Sequence, residues 1–80
     1  MLDLAIAAQT LRSEFGNITR APYVPGKTNF RDKLCTMFAI STVEAEAVCD
    51  SLERVHVLTF GRDPEEGPLW TIDPSNLWGR

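Results

Sequence analysis

The chain has 80 residues, a net charge of −3, and 44% hydrophobic against 24% charged side chains. That length allows one domain with one modest core, because a chain this short buries only about 60–65% of the surface its unfolded form exposes. The balanced composition excludes a disordered chain, and no apolar run approaches the roughly 20 residues of a membrane-spanning helix. The charge is polarised. Residues 1–40 carry five basic and three acidic side chains, a local +2, whereas residues 41–80 carry three basic and eight acidic ones, a local −5.

The first predicted helix covers Leu2–Phe15, with Leu4, Ala8, Leu11 and Phe15 on one face. Gly16-Asn17 stops it. The apolar start lacks a basic leader, and Asp3 stands where a signal peptide has Lys or Arg, so a cytoplasmic domain is expected. Residues 17–27 hold Pro22, Pro25 and Gly26 and read as a loop with a short extended piece at Ile18. A second helix is expected from Thr28 or Asn29, either of which is an N-cap type, with Phe30, Leu34, Met37 and Phe38 inward, ending by Ala39.

The third helix carries the strongest local signal. Ser41 and Glu44 have capping-box spacing, Ile40 and Ala45 are placed as a hydrophobic staple, and Ala45, Val48, Leu52 and Val55 form its inward face. At Val55 the period switches to alternation, predicting a strand over Val55–Phe60 that includes His56. A turn over Gly61–Gly67, a returning strand over Pro68–Ile72, and a tail over residues 73–80 follow. The fold class expected is α+β and mostly helical: three helices, then a C-terminal β-hairpin, in one domain spanning residues 1–80.

Leu34, Phe38, Ile40, Ala45 and Val48 stand at the apolar offsets of a helix-turn-helix, with small Cys35 inside the unit and Ala39 where many members have glycine. Over residues 28–72 the chain resembles the winged helix-turn-helix superfamily, and Arg62-Asp63-Pro64-Glu65 resembles the wing tip of MarR-type regulators. The resemblance implies a nucleic-acid-binding or transcription-related protein whose third helix exposes Ser41, Thr42, Val43, Glu46 and Ala47 to the major groove. Gly67-Pro68 occupies the place of the family's basic wing residues, so a minor-groove contact is not implied.

The third helix sets Glu44, Glu46, Asp50 and Glu53 against a single Arg54, and carboxylates oppose phosphate. The expected nucleic-acid residues are therefore Arg20, Lys27, Thr28, Asn29, Arg31 and Lys33, grouped around a helix start whose free amides attract phosphate, with Ser41 and Thr42 from the third helix. Such binding to duplex DNA would be weak and directed at the backbone. The competing expectation is a protein-interaction module that meets a basic partner with Glu46, Asp50, Glu53 and Trp78. Trp78, near the end of the sequence, suits a homodimer as well as a monomer.

No enzyme is expected. Residues 21–28 only loosely resemble a phosphate loop: Ala21 replaces the first glycine, and Pro22 and Pro25 remove amides the loop requires. His56 is the only histidine and no cysteine has a partner at ligand spacing, so neither metal nor cofactor is expected and Cys35 and Cys49 read as free thiols.

The helix assignment orders two substitutions. Ser41→Ala should cost about 1 kcal/mol, the usual loss for such a cap, and Leu52→Ala about 2–5 kcal/mol, as a core truncation does. Urea denaturation of the two variants checks this, and a milder Leu52→Ala would contradict the inward face.

Overall fold

The computed structural model describes residues 2–77. In chain order it contains α1 (Leu4–Phe15), β1 (Ile18–Thr19), α2 (Tyr23–Phe38), α3 (Thr42–Arg54), β2 (Leu58–Asp63) and β3 (Gly67–Ile72), followed by a 3-10 turn at Pro74–Leu77. The sheet is antiparallel throughout, in the order β1-β3-β2. Three helices with a β-hairpin wing, joined by a short strand between the first two helices, make this an α+β fold of winged-helix topology. Among the described residues no helix is long and apolar enough to cross a membrane.

Two of the helices, α1 and α3, begin for a local reason. Asp3 caps α1: its Oδ1 accepts from the amides of Ala5 (2.8 Å) and Ile6 (3.2 Å). Ser41 caps α3 by accepting from the Glu44 amide at 3.1 Å. The Glu44 carboxylate does not return to Ser41, as a closed capping box would have it. It accepts instead from the backbone amide of Leu2 at 3.1 Å, tying the start of the chain to α3.

The largest departure from the sequence reading is the start of α2. The helix begins at Tyr23, more than a turn before Thr28 and Asn29, and those two residues cap nothing. Pro22 is the N-cap, and Pro25 lies in the first turn, where helix amides have no intrahelical acceptor and a missing N–H costs nothing. Gly26 closes the first helical bond, donating to the Pro22 carbonyl at 3.0 Å.

The helix ends also differ from expectation. Val55 is the half-exposed cap of α3 rather than an inward residue, and Met37 is 51% exposed. His56 is not on a strand. It takes a left-handed conformation (φ 65°), while its amide donates to Glu53 O (3.1 Å) and that of Val57 to Leu52 O (2.9 Å). Those two bonds form a Schellman ending, with buried Val57 packed in register with buried Leu52. The strand therefore starts at Leu58. Ala39, in the three-residue turn between α2 and α3, is also left-handed (φ 53°), which is the backbone reason glycine suits that place. The expected Gly61–Gly67 turn is shorter, because β2 runs through Gly61 and the last pair is Asp63 with Gly67.

One core unites the elements: Ala7, Ala8 and Leu11 of α1, Phe30 and Leu34 of α2, Ala45, Val48, Cys49 and Leu52 of α3, then Val57, Leu58, Trp70 and Ile72. Trp70 is its largest member and is fully buried. Its ring lies 5.1 Å from Tyr23, 5.4 Å from Phe30 and 5.3 Å from Phe60, within the range of favourable aromatic contact. Its Nε1 donates to the Pro22 carbonyl at 3.4 Å. The indole thus lies directly under the first turn of α2, and a Cβ on Gly26 would collide with its Nε1 and Cδ1.

That contact reverses a usual sign. Glycine to alanine inside a helix ordinarily gains roughly 0.5–1 kcal/mol. Gly26→Ala should instead lose about 1–3 kcal/mol, the cost of overpacking a core. Urea melts followed by tryptophan fluorescence measure it, and a stabilised variant would contradict the seating of α2 on Trp70.

Candidate functional site

The elongated α2 changes where the basic residues stand. Lys27, Thr28, Asn29, Arg31 and Lys33 lie within the helix and not at its start, so the expectation of free amides beside them is corrected. Nor do the four cations converge. Lys27 and Arg31 reach across to α3, Lys33 pairs with Glu14 of α1 at 3.2 Å, and Arg20 approaches Glu66 at the wing tip at 4.0 Å.

The contacts between α2 and α3 are specific. Lys27 Nζ lies 2.5 Å from Asp50 Oδ1 and 3.0 Å from Glu53 Oε1, and donates to the Tyr23 hydroxyl at 3.2 Å. The Tyr23 hydroxyl in turn donates to Glu53, 3.0 Å from each carboxylate oxygen. One turn further along, Arg31 pairs with Glu46 at 3.3 Å and with its neighbour Asp32 at 2.9 Å. Helical spacing explains the match: Lys27 and Arg31 are four apart, as are Glu46 and Asp50, so adjoining helices present two stripes of opposite sign. Partial burial disfavours the Lys27 ammonium, but the hydrogen bonds it donates to Asp50, Glu53 and Tyr23 outweigh it and hold its pKa above the ordinary range. A raised ammonium pKa stabilises the fold at all pH below the ordinary lysine value, and that contribution is lost only at strongly alkaline pH. The Asp50 and Glu46 side chains are 55% and 59% exposed, so each pair contributes at most about 1 kcal/mol.

Above these pairs lies an open groove of about 300 Å³. Tyr23, Val24, Thr28 and Arg31 form its α2 wall and Glu46 and Asp50 its α3 wall, with Cys49 among its lining residues. Val24 projects from the rim at 68% exposure, and on α3 the exposed side chains are Thr42, Val43, Glu46, Ala47, Asp50 and Arg54. Ser41 and Thr42 are exposed at the α3 start, Ser41 already engaged as the cap. Trp78 lies outside the described residues. Among those described, Arg54 and Arg62 make no ion pair, and no group of three or more His, Cys, Asp and Glu side chains is placed to hold a metal ion.

At the wing tip, Asp63 Oδ1 accepts from the amides of Glu65 (2.8 Å) and Glu66 (3.0 Å). The bonds from Glu66 and Glu65 hold its carboxyl below the usual range. They order the tip as a local turn.

Sequence reasoning named Lys27, Arg31, Glu46, Asp50 and Glu53 but assigned the cations and the carboxylates to rival surfaces. The signal for their union was present in the matching four-residue spacings. Tyr23 and Val24 were missed because Pro25 and Gly26 read as loop. The chain matches no family model, and no curated protein or solved structure matches it significantly.

Both cysteines are free. Burial pushes the Cys49 thiol up to about 12, whereas Cys35 is only partly buried. Thiolate is the reactive form. A disulfide reagent at neutral pH should therefore label Cys35 first and reach Cys49 only on the timescale of unfolding. Equal rates in the native protein would contradict the burial of Cys49 between α2 and α3.

Proposed function

We propose that the chain is a winged-helix protein-docking module that offers its α2–α3 face to a partner protein. One observation carries this reading: Lys27 and Arg31, the cations a phosphate-binding surface would need there, are each paired with carboxylates of α3. Phosphate affinity comes from neutralising backbone charge with free cations. Counting Asp32 with Glu46, Asp50 and Glu53 against Lys27, Arg31 and Arg54, this face holds four carboxylates and three cations, a balance that opposes a duplex. Its exposed Val24 and Val43 beside a groove are features of a contact surface between proteins. We place the module in the cytoplasm, where free thiols such as Cys35 and Cys49 persist, and we take it to act without a cofactor.

A second reading, weak backbone-directed binding to duplex DNA in a transcription-related role, draws on the winged-helix topology and on Arg54 and Arg62, which no carboxylate engages among the described residues. Ser41, Thr42, Thr28 and Asn29 would be its polar contacts, with Arg20, Lys27, Arg31 and Lys33 released from their exposed pairs.

Titration of mixed-sequence duplex DNA across a salt series separates the two. The docking reading predicts no binding even at about 20 mM salt, where phosphate attraction is least screened. Binding with a log–log salt slope near −3, the value about three phosphate contacts would give, would overturn it in favour of DNA.

A further inference from the structure

We infer that the α2–α3 groove takes a basic amphipathic segment of a partner protein, one with arginine or lysine side chains a helical turn apart and an aliphatic side chain beside them. This rests on the docking reading above and names the chemistry of its partner.

The inference begins with the geometry of the carboxylates. Glu46 and Asp50 stand four residues apart on α3, one above the other along the groove wall. Their ion pairs are made through Oε1 of Glu46 and Oδ1 of Asp50, and both side chains are more than half exposed. A carboxylate has about four acceptor positions, so each retains capacity toward solvent after its internal pair is made. The lining sets Glu46 and Asp50 against Lys27 and Arg31, but the cations are the less exposed partners, at 24% and 27% against 55% and 59%, so the charge the groove turns to solvent is carboxylate. Charge complementarity therefore selects a cationic occupant, and the four-residue spacing selects a helix whose basic residues share one face.

The apolar part of the site gives the segment its second requirement. Val24, 68% exposed, projects at the rim of the groove. Val43, 76% exposed, lies one turn before Glu46 and Ala47 on α3. Val24 lines the groove with no apolar neighbour that buries it, so an aliphatic side chain carried by the partner would remove it from water, while Val43 offers a second apolar contact at the other end of the face. Arg54, four residues beyond Asp50 on the same outward strip, repels a further cation and so sets where the basic stretch ends. The internal pairs do not block the site. Exposed pairs are weak, and a guanidinium that binds the free oxygen of Asp50 or Glu46 leaves Lys27 or Arg31 in place on the other.

The probe is a short helical peptide with arginines a turn apart and leucines beside them, read by fluorescence anisotropy against the whole chain. Two control peptides replace the arginines by glutamate or by glutamine. The arginine peptide should bind with an affinity that falls as salt rises, and the glutamate peptide should not bind. Glu46→Gln with Asp50→Asn should weaken the arginine peptide about tenfold, the effect of two partly exposed charge pairs, with an unchanged circular dichroism spectrum. Val24→Asp should also weaken it, which a purely electrostatic attraction would not show, since an added carboxylate would then strengthen binding. If the glutamine peptide binds as tightly as the arginine peptide and Val24→Asp abolishes both, the groove docks proteins but the cationic partner is wrong. If no peptide binds, or if the Glu46 and Asp50 changes leave the affinity untouched, the inference fails. Whether the docking reading falls with it is decided separately by the DNA titration, in which duplex binding would overturn that reading.

Discussion

Beneath the first turn of α2, the Trp70 indole occupies the space that any side chain at position 26 would need, and its N–H reaches the Pro22 carbonyl that caps the helix. Few other contacts join as many parts of the chain. Trp70 belongs to β3, so the contact ties the wing to α2. Through Phe30 and Phe60 it also links the helical core to the outer strand. Gly26 weakens the helix propensity of the first turn. Here that turn is helical because burial of the indole and the aromatic contact with Tyr23 offset that penalty.

The functional surface follows from this seat. Were α2 to begin at Thr28, Lys27 would sit in a loop and Tyr23 would not stand beside Glu53. With the helix starting at Tyr23, the hydroxyl of Tyr23 and the ammonium of Lys27 meet Asp50 and Glu53 on α3. Each pair is energetically small, yet together they change the character of the face from a row of cations into a mixed and mildly acidic groove. Small stability terms thus decide what class of molecule the surface can attract, because attraction depends on net local charge and not on the strength of individual pairs.

Much of the fold was readable from local chemistry. The Ser41 cap, the apolar stripe of Ala45, Val48 and Leu52, and the short extended piece at Ile18 all follow from residue type and spacing within a few positions, and the structure has each of them. What local reading missed depended on distant partners. Pro25 and Gly26 are loop signals until Trp70, far along the chain, is known to lie under them. Glu44 has capping-box spacing, but its carboxylate goes to the amide of Leu2, 42 residues earlier in the chain. His56 sits in a β-branched, alternating stretch that reads as strand, while the Val57–Leu52 bond and their shared burial hold it in a left-handed helix ending. For the site, the cations and carboxylates were all identifiable by type. Their mutual cancellation required knowing that α2 and α3 pack side by side with those stripes facing.

The seating of α2 on Trp70 is most directly tested by solution NMR of the unmodified chain. Helical Cα shifts should begin at Tyr23, with nuclear Overhauser contacts between the Gly26 α-protons and the Trp70 indole and with slowed exchange of the indole N–H. Coil shifts through Lys27, a helix starting at Thr28 or Asn29, and an indole N–H exchanging freely with water would contradict it. The charge cancellation that defines the α2–α3 face would then fall with it.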